Sequence, residues 1–74
     1  MVAVIWSKKN CVWCDRAKDL LTQSSIPYQE KNIETNATRE QLMEAVPGAK
    51  SIPQIFIDGV YIGGFLELQE YLKK

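Results

Sequence analysis

Apolar residues run unbroken from Val2 through Trp6 and stop at the polar stretch Ser7-Lys8-Lys9-Asn10. A run of strand length with two valines and an isoleucine predicts a β-strand buried on both faces. The period then changes. From Val12 to Ser25, Ala17, Leu20, Leu21 and Ser24 share one helical face, while Asp15, Arg16, Lys18, Asp19 and Gln23 are polar. Ser25 and Pro27 predict the helix end. Tyr28 to Ile33 alternates imperfectly and is rather polar, which predicts an edge strand. A strand–helix–strand unit of this length implies a right-handed crossover and parallel pairing.

Thr38, with Gln41 three residues on, fits a capping box that opens a second helix. Leu42, Ala45 and Val46 supply its apolar stripe, and Pro47-Gly48 stop it. Ile55 to Ile57 is strongly strand-like; Pro53 lacks a ladder donor and must begin that strand. Asp58-Gly59 is a hairpin turn dipeptide, and Val60-Tyr61-Ile62 makes the return strand. Gly63-Gly64 breaks it. Phe65 to Leu72 reads as a last helix with Phe65, Leu68 and Leu72 on one stripe, and Lys73-Lys74 complement its negative end. Trp6 and Phe56 are expected in the core, and Tyr28 and Tyr61 half-buried. The predicted order is β-α-β-α-β-β-α, an α/β chain whose residues 1–74 form one domain without repeat or linker.

Composition narrows the function classes. Lysine plus arginine equals aspartate plus glutamate at nine each, so a nucleic-acid footprint or a charged membrane-surface patch is not expected. Apolar runs of a few residues are too short to span a membrane. The first six residues have neither a basic n-region nor a small-residue cleavage site, so no signal peptide is predicted. With 46% apolar residues, 74 residues suffice for one compact core.

The chemistry concentrates on Cys11-Val12-Trp13-Cys14, which holds both cysteines of the chain. At the first turn of a helix, residues three apart lie on one side, close enough for a reversible disulfide. The helix start presents unpaired N–H groups and a positive dipole end to the first sulfur, which favours the reactive thiolate. The alternative is a pair of small buried hydrophobes. A bridge closing so small a loop adds little stability through chain entropy, so redox chemistry in a reducing, cytoplasmic compartment explains the pair better than stapling.

Three ordered blocks sharpen this. Ser7-Lys8-Lys9-Asn10-Cys11-Val12-Trp13-Cys14 resembles the glutaredoxin active site, with a basic residue three positions before the first cysteine and an aromatic before the second. Lys50-Ser51-Ile52-Pro53-Gln54-Ile55-Phe56-Ile57-Asp58-Gly59 resembles that family's Thr-Val-Pro segment and following strand, and Ile62-Gly63-Gly64-Phe65 its Gly-Gly segment. The resemblance covers almost the whole chain. It implies a thioredoxin-like fold, a four-stranded mixed sheet with helices on both faces. The sequence departs from the family at Val12 and Trp13, where proline and tyrosine are common. It departs also at Leu66, where the first of two acidic residues is usual, and at Ala49-Lys50.

The resemblance implies a glutathione-dependent thiol–disulfide oxidoreductase acting on protein disulfides or glutathione mixed disulfides. Cys11 is then the nucleophile, assisted by Lys8, and Cys14 the resolving thiol. It also implies a cis Ile52–Pro53 bond facing the sulfurs, where position alone marks Pro53 only as a strand start. Glutathione would place its glycine carboxylate near Lys8, with Gln54 or Lys50 as further donors. Its γ-glutamyl carboxylate would meet the backbone N–H groups of Gly64, Phe65, Leu66 and Glu67. Gly63 and Gly64 would admit the close approach, or simply form a turn. With Leu66 unable to accept a bond from the ligand's ammonium group, binding weaker than in members with both acids is expected; Glu67 is the remaining acceptor. Trp13 is read as a lid over the substrate or as a surface aromatic without a role. No resident metal site is expected from two thiols and no histidine. The competing readings are a dimer sharing a [2Fe–2S] cluster through Cys11 and two glutathiones, and a thioredoxin-like carrier served by a flavoprotein reductase. A monomer is expected for the leading reading.

Overall fold

Seven elements make up the computed structural model, which describes residues 1–73. They are β1 (Ala3–Ser7), α1 (Val12–Gln23), β2 (Tyr28–Asn32), α2 (Arg39–Ala45), β3 (Gln54–Ile57), β4 (Val60–Gly63) and α3 (Phe65–Leu72). The order is the expected β-α-β-α-β-β-α. The expected part of Lys74 in ending α3 lies outside the described residues.

The strands form one mixed sheet in the order β2-β1-β3-β4. β1 runs parallel to the edge strand β2 and antiparallel to β3, and β3 runs antiparallel to β4. The period of two decides what each face carries. Ala3 and Ile5 of β1 stand beside Ile57 and Ile55 of β3, and all four point to one side. There they meet Ala17 and Leu21 of α1, Ile26, and Leu68 of α3, which together form the main core. Leu42 of α2 is buried apart from this cluster, so α2 covers the other side of the sheet.

Local chemistry explains the joints. Thr38 and Gln41 make both halves of the capping box at the start of α2. Asp58 and Gly59 both adopt positive φ, 51° and 82°, the combination a two-residue hairpin needs to match strand twist. In the hairpin, Phe56 faces Tyr61 and Ile55 faces Gly63, which leaves Ile62 as an extra residue. The bulge lets Ile62 pack on the main core.

Several expectations are corrected. Val2 lies outside β1 and is exposed. α1 ends at Gln23 because Ser24 caps it and Ser25 turns left-handed at φ 59°. Ala45 is exposed, since α2 is short and buries only Leu42. Trp6, by contrast, is a core residue as expected, with the Lys31 ammonium 5.1 Å from its ring centroid. Phe56 is only half-buried: strand alternation sends it to the face opposite Ile55 and Ile57, where its ring meets Tyr61 at 5.4 Å. Tyr61 and Tyr28 are more exposed than expected, because β4 and β2 are the two edges of the sheet.

Candidate active site

Asn10 adopts positive φ, 56°, an excursion asparagine tolerates better than most residues. The turn delivers Cys11 in extended conformation to the N-cap of α1. There its sulfur takes the place usually held by a serine, threonine or aspartate oxygen. The Cys14 backbone N–H donates to Cys11 Sγ at 3.1 Å, and the Asp15 N–H donates to the Cys11 carbonyl. The two cysteines are joined as a disulfide, with Cα atoms 5.2 Å apart. Cys11 is 9% exposed and Cys14 1%, so the first cysteine is the less deeply buried of the two.

Beside Trp13 the structure gathers residues of the other two sequence blocks. The Ile52–Pro53 bond is cis, as the resemblance implied. Trp13, Ser51, Ile52, Pro53, Gly64, Phe65, Leu66 and Glu67 line one cavity of about 200 Å³. Trp13 is one wall of this cavity. Its ring centroid lies 5.4 Å from that of Phe65, and the Arg16 guanidinium sits 5.0 Å from the ring centroid. A cation over an aromatic face and an aromatic neighbour restrict the indole on two sides.

Gly63 and Gly64 are more than a turn. Gly63 has φ +125°, and a Cβ there would stand 2.8 Å from Glu67 Cγ. The glycine therefore allows Glu67 to fold back over the start of α3, where its Oε1 accepts from the Gly64 N–H at 2.8 Å. This corrects one expectation: the Gly64 N–H is already used within the chain. The donors left at this helix start are those of Phe65, Leu66 and Glu67.

A second cavity, of about 150 Å³, is lined by Lys8, Arg39, Leu42, Ala49, Lys50, Ser51 and Ile52. It shares Ser51 and Ile52 with the first. Lys8 and Lys50 are both in its lining. Gln54 is not: it is buried, donating to the Ser51 carbonyl and accepting from the Tyr61 hydroxyl at 2.6 Å. In its place the structure supplies Arg39, the first residue of α2. Sequence reasoning passed over Arg39 because twenty-eight residues separate it from Cys11 by number, and only the folding of α2 over the sheet closes that gap.

Behind the site, Ser7 is fully buried at the end of β1 and donates to Glu30 Oε2. Lys18 of α1 reaches the same oxygen at 3.1 Å and Asp15 at 3.5 Å. The Ser7 hydrogen bond, with the Lys18 contact and charge, holds the Glu30 carboxyl below its ordinary range against the opposing effect of burial. For Lys18, burial pulls the pKa down, but Glu30 and Asp15 outweigh it and leave the ammonium raised. The network ties α1 to β1 and β2 one turn beyond Cys14.

Among the described residues no three of histidine, cysteine, aspartate and glutamate come together as a metal-holding group. What the fold does assemble is a two-cysteine pair at a helix start, with Trp13 between the cysteines sharing a cavity wall with a cis-proline. A mixed four-stranded sheet with three helices and such a pair defines a thiol oxidoreductase of the thioredoxin-like class.

Comparison with known proteins makes this specific. The glutaredoxin family model matches residues 3–62. Glutaredoxin 3 of Escherichia coli strain K12 is 42% identical over 60 residues, covering 81% of this chain and 72% of that one. The structure of reduced Escherichia coli glutaredoxin superposes with a TM-score of 0.81 at 32% identity, over 99% of this chain and 94% of that one. A buckwheat glutaredoxin–glutathione complex matches at a TM-score of 0.80 and 29% identity, over 96% and 67%. The chain belongs to the glutaredoxin family.

Proposed function

We propose that this chain is a glutathione-dependent thiol–disulfide oxidoreductase that reduces protein disulfides and glutathione mixed disulfides. One observation carries the reading: Cys11, the more exposed of the two cysteines, is at the N-cap of α1, its sulfur accepting the Cys14 N–H. In the reduced chain the same N–H and the helix dipole would favour the Cys11 thiolate. The thiolate attacks one sulfur of the substrate disulfide, the substrate S–S bond breaks, and the departing thiolate takes a proton from solvent. For a protein disulfide, Cys14 then attacks the Cys11 sulfur and releases the second substrate thiol. Two electrons have moved, and Cys11 and Cys14 are left as the disulfide. Glutathione returns the chain to the dithiol by two successive exchanges at Cys11, with oxidised glutathione as the product.

The second cavity supports glutathione as partner. Lys8, Arg39 and Lys50 offer three cationic groups for a glycine carboxylate, and none of them joins an ion pair among the described residues. The remaining N–H groups at the start of α3 would meet the γ-glutamyl carboxylate. The resemblance in fold to a glutaredoxin that binds glutathione points the same way. A monomer working in a reducing, cytoplasmic compartment is part of the proposal. A shared [2Fe–2S] cluster would draw only Cys11 from each chain and leave Cys14 without a part in the chemistry.

The test uses Cys14→Ser, which removes the resolving thiol. Incubation with oxidised glutathione should add one glutathionyl group to Cys11, seen by mass spectrometry, and excess glutathione should remove it. A chain that stays unmodified under these conditions refutes glutathione dependence.

A further inference from the structure

Ser51 and Ile52 border both cavities, and the cis Ile52–Pro53 bond follows them. Yet no backbone-to-backbone hydrogen bond among the described residues holds Lys50, Ser51 or Ile52. What holds this strip is a side chain. Gln54 begins β3 and is 5% exposed; its Nε2 donates to the Ser51 carbonyl at 2.9 Å and to the Ser51 hydroxyl at 3.3 Å. Its Oε1 accepts from the Tyr61 hydroxyl at 2.6 Å. Strand pairing brings the two together. Phe56 faces Tyr61 across the hairpin, and Gln54, two residues before Phe56, shares its side of the sheet. The Phe56 ring lies 5.4 Å from that of Tyr61, inclined at 60°, and steadies the phenol on one side while half of it stays open to solvent.

Resting on the proposed glutathione-dependent reading, we infer that Tyr61 is a positioning residue for glutathione: through the Gln54 amide it holds the Ser51–Ile52 strip between the two cavities. Tyr61 itself lines neither cavity. Without its hydroxyl, Gln54 Oε1 becomes a buried acceptor with no donor, a state relieved when the side chain turns out to water. Turning out withdraws the donors from Ser51. Glutathione then has to order the strip as it binds, which weakens ground state and transition state alike and so raises KM with kcat unchanged. The Cys11 sulfur keeps its own donor, the Cys14 N–H of α1.

The experiment compares the parent, Tyr61→Phe, Gln54→Leu and the double variant in steady-state reduction of a glutathionylated peptide by glutathione. Tyr61→Phe should raise KM for the peptide about fivefold, the effect of one hydrogen bond, and leave kcat at the parent value. Gln54→Leu should raise KM at least as far. In that background Tyr61→Phe should add nothing, because the hydroxyl has no amide to act through. A second readout needs no turnover: nitrogen order parameters at the Ser51 and Ile52 amides should fall in Tyr61→Phe while those of α1 and β3 stay at parent values. A KM within about twofold of the parent in Tyr61→Phe, a fall in kcat alone, a further rise in the double variant, or unchanged order parameters overturns the inference. Failure of the proposed function is a separate result, read in Cys14→Ser as no exchange of Cys11 with glutathione, and the order parameters still decide whether Tyr61 holds the strip.

Discussion

The backbone N–H of Cys14 points at the sulfur of Cys11 from 3.1 Å, in the position where a helix usually caps itself with a side-chain oxygen. The reactive atom and the helix cap are the same atom. Cys11→Ser should therefore keep the cap and the fold, with stability within about 1 kcal/mol of the parent, and lose both disulfide reduction and deglutathionylation. Cys14→Ser should retain deglutathionylation and lose reduction of protein disulfides, since the backbone donor remains and only the resolving thiol is gone. Parallel assays with a glutathionylated protein and a protein disulfide check both.

Gly63 has φ +125°, and its missing Cβ makes room for the Glu67 side chain. Gly63→Ala combines a strained backbone with a clash against Glu67 Cγ at 2.8 Å. A loss of about 2–3 kcal/mol is expected, measured by urea denaturation. Gly59→Ala, with open space around the position, should cost less, because only the positive φ is at stake there.

Ser7 and Lys18 together hold the Glu30 carboxyl below its ordinary value of 4.5. A carboxyl that ionises more readily in the folded chain adds stability above its unfolded pKa. That contribution fades as pH falls through the lower folded value. Lys18 works at the other end: raised above 10.5, it contributes below that value and ceases to do so as pH rises through its folded pKa. Both groups are partly exposed, so the effects are modest and salt-sensitive. Ser7→Ala deletes a buried hydrogen bond to a charged group and should cost about 1.5 kcal/mol near neutral pH. The penalty should shrink in acid, where the parent loses the same contribution. Urea midpoints measured from acid to neutral pH test the slope.

Trp13 is held between Phe65 and Arg16 while half of it stays open to solvent. Trp13→Ala should change stability by about 1 kcal/mol or less. It should raise KM for disulfide substrates more than it lowers kcat, because it removes a cavity wall and leaves both sulfurs in place. Steady-state kinetics separate the two parameters.

Much of this protein was legible because it depends on short-range chemistry. The Thr38–Gln41 capping box, the Asp58-Gly59 turn, the helix opening at Val12 and the strand start after Pro53 are set by neighbours three or four residues apart. So is the placement of two sulfurs on one side of a helix turn. The same locality misled at Phe56, whose apolar character is equal on either face of a strand; only pairing with β4 decided that it meets Tyr61 outside the main core. It misled at Gln54 too, whose amide is drawn inward by Ser51 and Tyr61.

By itself, then, the sequence determined the element order, the caps, and the residue types that carry thiol chemistry, because propensity, periodicity and helix spacing act within one or two turns. The tertiary structure alone decided that Arg39 joins Lys8 and Lys50, and that the cavity walled by Trp13, Pro53 and Phe65 adjoins a cationic one at Ser51 and Ile52. Those relationships join residues tens of positions apart in the chain. They arise from sheet order and helix packing, which no local pattern encodes.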